Sequence, residues 1–170
     1  RDRIIADCIR SWSVGEVVEV RSPKATRPWQ HVLEPLSGYL ALASDLWNEH
    51  SALSGHSFNF GPISEKSRTV VDVIDSLSQH WNSVDAMNDF FMVTDNVPFH
   101  EAGLLKLNCD KAMFHLDWQP TLAFDECIQL VGVWYDQYYN ANETDMFSLT
   151  LDQIRFYCEK AGSKKINWSL

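Results

Sequence analysis

A strand-to-helix junction between Thr26 and Pro35 restricts this chain more than any other stretch. It reads Thr-Arg-Pro-Trp-Gln-His-Val-Leu-Glu-Pro. Val17-Val18-Glu19-Val20 before it alternates in strand fashion. Glu34-Pro35 after it starts a helix, with proline at the first helical position and a carboxylate facing the helix dipole. The fold therefore sets Arg27, Trp29 and His31 near a helix N-terminus. A guanidinium and free backbone N–H groups there can hold an anion such as a diphosphate. The same residues also suit plainer roles: Arg27 and Trp29 as a surface stacking pair, and His31 as a hydrogen-bonded core histidine.

The length of 170 residues suits one domain, and 45% hydrophobic with 12% aromatic residues supplies a core. The net charge of -9 and pI near 5.0, with 14 scattered basic residues, exclude a duplex-binding surface, so any phosphate is bound locally and no nucleic-acid partner is expected. Cys8, Cys109, Cys127 and Cys158 form no C-x-x-C pair and read as buried thiols in a reducing compartment. The six histidines make no H-x-x-x-H pair, so no metal site is expected. Neither a membrane span nor a signal peptide is apparent, and the expected location is the cytoplasm. The chain opens on Arg1-Asp2-Arg3 without methionine, while Ile4, Ile5, Cys8, Ile9 and Trp12 already form a helical stripe, as in a fragment beginning inside a domain.

Read in order, the sequence predicts a first helix over 3–14, stopped by Gly15, and a strand over 17–21. A helix over 34–48 carries Leu36, Tyr39, Leu40, Ala43, Leu46 and Trp47 at three-and-four spacing, which reads as a core face. Ser57 to Pro62 alternates like a short strand, with Asn59 on the face opposite its aromatic neighbours and able to donate to a ligand oxygen or to backbone. Ser67 reads as the cap of a helix over 68–81, Phe90 to Val93 as a buried strand, and Leu104 to Leu107 as another strand. His100 and Glu101 in the preceding loop can bind ribose hydroxyls or a phosphate edge, or stand as an exposed pair. Asn108 or Asp110 caps a short helix to Leu116. A longer helix over 124–139 carries Cys127, Ile128, Val131, Trp134, Tyr135 and Tyr138, with its aromatics read as core or subunit interface rather than a base-stacking platform. Thr150 reads as the cap of a last helix to Lys160, and Lys164-Lys165 as a solvated patch. No G-x-G-x-x-G or P-loop motif, no G-x-S-x-G elbow and no Tyr-x-x-x-Lys pair occurs. The visible equipment holds a ligand and carries no catalytic residue.

Several of these segments resemble one known family. They are Arg3-Ile4-Ile5-Ala6-Asp7-Cys8, the run Thr26 to Leu40, Phe58-Asn59-Phe60-Gly61-Pro62, His100-Glu101-Ala102, Leu105-Lys106-Leu107 with Lys111-Ala112, Leu116-Asp117-Trp118-Gln119-Pro120, Trp134-Tyr135 and Gln153-Ile154. In order and over nearly the whole chain, they resemble the C-terminal part of the CDP-glucose 4,6-dehydratase family, a branch of the extended short-chain dehydrogenase/reductases. The resemblance implies an α/β fold, mixed α+β in isolation, with residues 1–170 forming the nucleotide-sugar-binding C-terminal domain. The Rossmann half, with NAD and the catalytic Tyr and Lys, lies elsewhere in the parent. That parent is a lyase, forming CDP-4-dehydro-6-deoxyglucose from CDP-glucose, and is expected to be a homo-oligomer; the fragment alone should be inactive.

The resemblance further implies Arg27 as the diphosphate clamp, Asn59 facing the same diphosphate, and Ile4 and Ile5 lining the nucleotide base with Arg3 beside them. His100 and Glu101 occupy a loop where dTDP-sugar dehydratases place an arginine near the nucleotide. Ala6 departs from the family's usual proline. A related nucleotide-sugar epimerase or reductase shares this architecture, and a non-catalytic nucleotide-sugar-binding or interaction module would be of a different class.

Overall fold

The computed structural model describes residues 3–47, 52–63, 68–82, 89–94, 103–141 and 143–169. The first helix, α1 (Ile4–Trp12), buries Cys8, Ile9 and Trp12 along one stripe. It ends at Gly15, whose φ of +74° is easy only for a residue without Cβ. The chain then enters β1 (Val18–Val20), a strand whose outer two residues are buried and whose middle one is exposed. Its parallel partner is β2 (Phe91–Val93), with Val18 opposite Phe91 and Val20 opposite Val93. The Trp12 indole N–H donates to the carbonyl of Phe90 at 2.9 Å, tying α1 to the sheet.

Helix α2 (Leu33–Trp47) follows the junction, and α3 (Val70–Ser78) buries Val70, Val73, Ile74 and Leu77. Helices α4 (Asp110–Leu116), α5 (Phe124–Asn140) and α6 (Met146–Ser163) complete the described helices, with a closing 3-10 turn at Asn167–Ser169. Two cores result. One gathers Cys8, Ile9, Trp12, Val18, Val20, Val73, Ile74, Leu77, Trp81 and Ile128 from α1, the sheet, α3 and α5. The other is smaller: Leu53, Phe60, Ala112, Leu116 and Trp118.

Several expectations are corrected. The cap of α3 is Thr69, whose Oγ1 accepts from the Asp72 N–H at 3.2 Å while the Asp72 carboxylate accepts from the Thr69 N–H at 2.8 Å; Ser67 lies outside the described residues. Helix α6 is capped by Asp145, which accepts from the N–H groups of Phe147 and Ser148, and Thr150 lies inside the helix with its hydroxyl on the carbonyl of Met146. Residues 58–62 form no strand. Phe60 instead packs its ring on Gly38, where a Cβ would come within 2.3 Å of it, and edge-on against Trp118 at 5.0 Å. Residues 104–107 reduce to one bridge between Thr26 and Leu104, and Leu105, Lys106 and Leu107 line a cavity. Strand β2 exists but is not buried: Met92 and Val93 are exposed.

The largest correction concerns α2. Its apolar stripe of Leu36, Tyr39, Leu40, Ala43, Leu46 and Trp47 faces outward, with Trp47 88% and Leu40 71% exposed. The buried residues are Glu34, Ser37 and Gly38, because the inner side meets Phe60, Trp118 and the loop before α5.

Candidate functional site

The Thr26–Pro35 junction is anchored on several sides. The Thr26 N–H donates to the Gly103 carbonyl at 2.9 Å, the Trp29 indole N–H to the Arg68 carbonyl at 2.9 Å, and the Gln30 amide to the Phe60 carbonyl at 3.0 Å. These bonds set the junction as one wall of a cavity of about 480 Å³. Arg27, Trp29, Gln30, His31 and Glu34 line that wall; Pro62, Ile63, Arg68, Leu105, Lys106, Leu107, Leu122, Phe124 and Lys164 are among the residues that close the remainder.

Glu34 holds the site together. Its carboxylate accepts the N–H groups of Thr121 at 3.0 Å and Leu122 at 2.7 Å, and the Tyr157 hydroxyl lies 2.8 Å from it. Next to it, the Ser37 hydroxyl donates to the Glu34 carbonyl at 2.8 Å and accepts the Trp118 indole N–H at 3.0 Å. Burial raises the Glu34 pKa, against the opposing pull of the Thr121 and Leu122 N–H groups, the Tyr157 hydroxyl and the Lys164 charge. Burial likewise pushes the Tyr157 phenol up, so it stays a donor. One carboxylate thus joins α2, the loop before α5 and α6. His31 is also buried, which lowers its pKa; its Nδ1 accepts the Leu33 N–H at 3.3 Å, as neutral imidazole does.

The cavity wall carries more positive than negative groups. Arg27, Arg68, Lys106 and Lys164 face it, against the carboxylates of Glu34 and Asp125. Arg27 donates to the Thr26 carbonyl at 2.8 Å. The Arg68 guanidinium carbon sits 4.9 Å above the Phe124 ring centroid. Lys164 is exposed, as is Lys165, and it donates to the Thr121 carbonyl at 2.7 Å. A second cavity of about 390 Å³ shares Pro62, Ile63, Lys106, Leu107 and Pro120 with the first and adds Asn108, Cys109, Asp110 and Met113.

Of the residues singled out by sequence, Arg27 is on the cavity wall. Asn59 is exposed, and its amide donates to the Asn108 carbonyl at 3.2 Å, so it braces a residue of the second cavity. Arg3 precedes α1, where its N–H donates to Asp7 at 3.0 Å; Ile4 and Ile5 pack against the first core, and none of the three lines either cavity. His100 and Glu101 lie outside the described residues. Sequence reasoning missed Arg68, Lys106 and Lys164, which are far apart in the chain and belong to no spacing pattern. Among the thiols, burial pushes Cys8 and Cys127 up to about 12, whereas Cys158 is exposed, contrary to the reading of four buried cysteines. Trp134 and Tyr138 stack at 5.4 Å on the outer part of α5, with Tyr138 and Tyr139 exposed. No helix is long and apolar enough to cross a membrane among the described residues.

No family model matches the chain. The CDP-glucose 4,6-dehydratase of Salmonella typhimurium is 39% identical over 135 residues, covering 79% of this chain and 36% of that protein. The UDP-glucuronic acid 4-epimerase of Bacillus cereus, solved with UDP-glucuronic acid and NAD, superposes with a TM-score of 0.64 at 16% identity, over 81% of this chain and 41% of that one. Over that span the chain shares its fold with the epimerase. The UDP-glucose 4-epimerase of Bifidobacterium longum, in complex with NAD+ and UDP, shares that fold with a TM-score of 0.52 at 17% identity, over 79% of this chain and 39% of that one. In each case the chain spans well under half of its relative's length. The sequence resemblance to CDP-glucose 4,6-dehydratase is therefore borne out.

Proposed function

We propose that the chain is the substrate-binding portion of an NAD-dependent nucleotide-sugar dehydratase that converts CDP-glucose to CDP-4-dehydro-6-deoxyglucose. The cavity beside the Thr26–Pro35 junction holds the diphosphate. One observation carries this reading: Arg27, in the longest run resembling the dehydratase family, faces a cavity whose cations outnumber its carboxylates in a chain of net charge -9. The 39% identity to a CDP-glucose 4,6-dehydratase supports the sugar and the nucleotide.

In this reading Arg27 grips the diphosphate, Glu34 fixes the loop that forms the opposite wall, and the neutral His31 lines the site without adding charge. Asn59 acts by holding Asn108. The residues present do not fit the dinucleotide: the chain has no Gly-rich phosphate loop, and the described parallel sheet has two strands of three residues each. NAD and the catalytic Tyr and Lys are accordingly assigned to the remainder of the parent enzyme, which we take to be an oligomer of the cytoplasm.

A calorimetric titration with CDP-glucose, with UDP-glucose and dTDP-glucose as competitors, tests the reading. CDP-glucose should bind preferentially, and Arg27→Ala should weaken it by about 1.5–3 kcal/mol, the scale of a charge-assisted contact. Equal affinity for the three sugars, or full affinity in Arg27→Ala, contradicts it.

A further inference from the structure

Four cations face the first cavity, and they are not equivalent. Lys164 is committed: it donates to the Thr121 carbonyl, and its charge lies close to the carboxylate of Glu34. Glu34 in turn spends its oxygens on Thr121, Leu122 and Tyr157, which leaves it little capacity to neutralise other cations. Arg68 is held in place, and its charge also reaches the Asp72 carboxylate, whose pKa it helps to lower. The Arg68 carbonyl accepts the Trp29 indole, and its guanidinium lies 4.9 Å over the Phe124 ring, a contact that orients the planar head while leaving its edge donors available. Lys106 is exposed and makes no hydrogen bond or ion pair with any other described residue. It is also the one cation that lines both cavities, at the point where they share Pro62 and Leu107.

We propose that Arg68 and Lys106 complete, with Arg27, a three-cation clamp for a diphosphate centred where the two cavities meet. Arg68 supplies an oriented fork for one phosphate edge, and Lys106 a compact charge that the ligand passes on its way from one cavity to the other. This rests on the nucleotide-sugar reading for the identity of the ligand. Its evidence, however, is the placement of the charges.

The test is a titration of the 170-residue chain with inorganic diphosphate, orthophosphate and CDP-glucose, each into the unsubstituted protein, Arg68→Gln, Lys106→Gln and the control Arg155→Gln. Arg155 pairs with Asp152 on the exposed side of α6 and lines neither cavity. Inorganic diphosphate should bind more tightly than orthophosphate, and Arg68→Gln and Lys106→Gln should each weaken it about tenfold or more, with Arg155→Gln unchanged. Variants that bind diphosphate as tightly as the control, or an unsubstituted chain that does not bind it, overturn the clamp. The two readings separate cleanly. Arg27-dependent CDP-glucose binding that is indifferent to Arg68 and Lys106 sinks the clamp alone. Diphosphate binding that needs both residues, without preference for CDP-glucose, sustains the clamp and sinks the nucleotide-sugar reading.

Discussion

The two sides of helix α2 invert the usual arrangement. Its inner side carries a carboxylate, a hydroxyl and a glycine, Glu34, Ser37 and Gly38, all buried; its outer side carries Leu36, Leu40 and Trp47, all exposed. The inner side is stabilised by directed bonds: every polar atom of the Glu34 side chain has a backbone or hydroxyl donor, and the space at Gly38 is filled by Phe60. The outer side exposes apolar area, most of it at Leu40 and Trp47. Periodicity decides which residues share a face. What fills the space around a helix decides which face turns inward.

Several substitutions would break or sharpen this contrast. The largest effect is expected from Glu34→Ala, which strands the donors of Thr121, Leu122 and Tyr157; it should cost about 3–5 kcal/mol in urea unfolding. A cost within measurement error would mean that the carboxylate network does not hold the site. Gly38→Ala drives a methyl into the Phe60 ring and should cost about 1–3 kcal/mol, with a repacked near-ultraviolet spectrum as the Phe60–Trp118 contact shifts.

His31 adds a pH dependence of known sign. Burial lowers its pKa below the ordinary value of 6.5, so the unfolded chain takes the proton first as pH falls. Its contribution is fully present above the unfolded pKa and is lost as pH falls through 6.5 toward the lower folded value. The fall in unfolding free energy from pH 7.5 to 5.5 should be shallower in His31→Asn, and an unchanged slope would remove His31 from the account. The smallest effect on stability belongs to the outer face. Leu40→Ser and Trp47→Gln should each change it by less than about 0.5 kcal/mol, yet reduce the self-association that an exposed apolar face drives in sedimentation. Loss of stability comparable to Gly38→Ala would show that the outer face is packed after all.

The contrast also explains what could be read from the sequence. Local signals carried α1, β1, α2 and α5 nearly to their ends, because proline at a helix start, glycine at +74° and three-and-four spacing act within one turn of chain. They failed where two elements meet. Thr150 is an acceptable cap by residue type, but it is Asp145 that has the N–H groups of Phe147 and Ser148 in reach. Phe58 to Phe60 alternates like a strand, yet the ring of Phe60 finds Gly38 rather than a neighbouring ladder. In the site, Arg27 was legible because it sits in the junction itself. Arg68, Lys106 and Lys164 come to the same cavity from three distant segments, and nothing in their spacing announces it. Glu34 was legible as a helix-start carboxylate, but its role as a buried clamp depends on Thr121, Leu122 and Tyr157 far along the chain.

The most direct test of the central claim is backbone hydrogen exchange of the chain with and without saturating CDP-glucose. The account predicts slowed exchange at the cavity-lining amides of Trp29 to His31 and Leu105 to Leu107, with α1 from Ile4 to Trp12 and the outer part of α5 unchanged. Binding that leaves the amides of 29–31 and 105–107 unaltered and protects α1 instead would place the ligand elsewhere and contradict the assignment of this cavity.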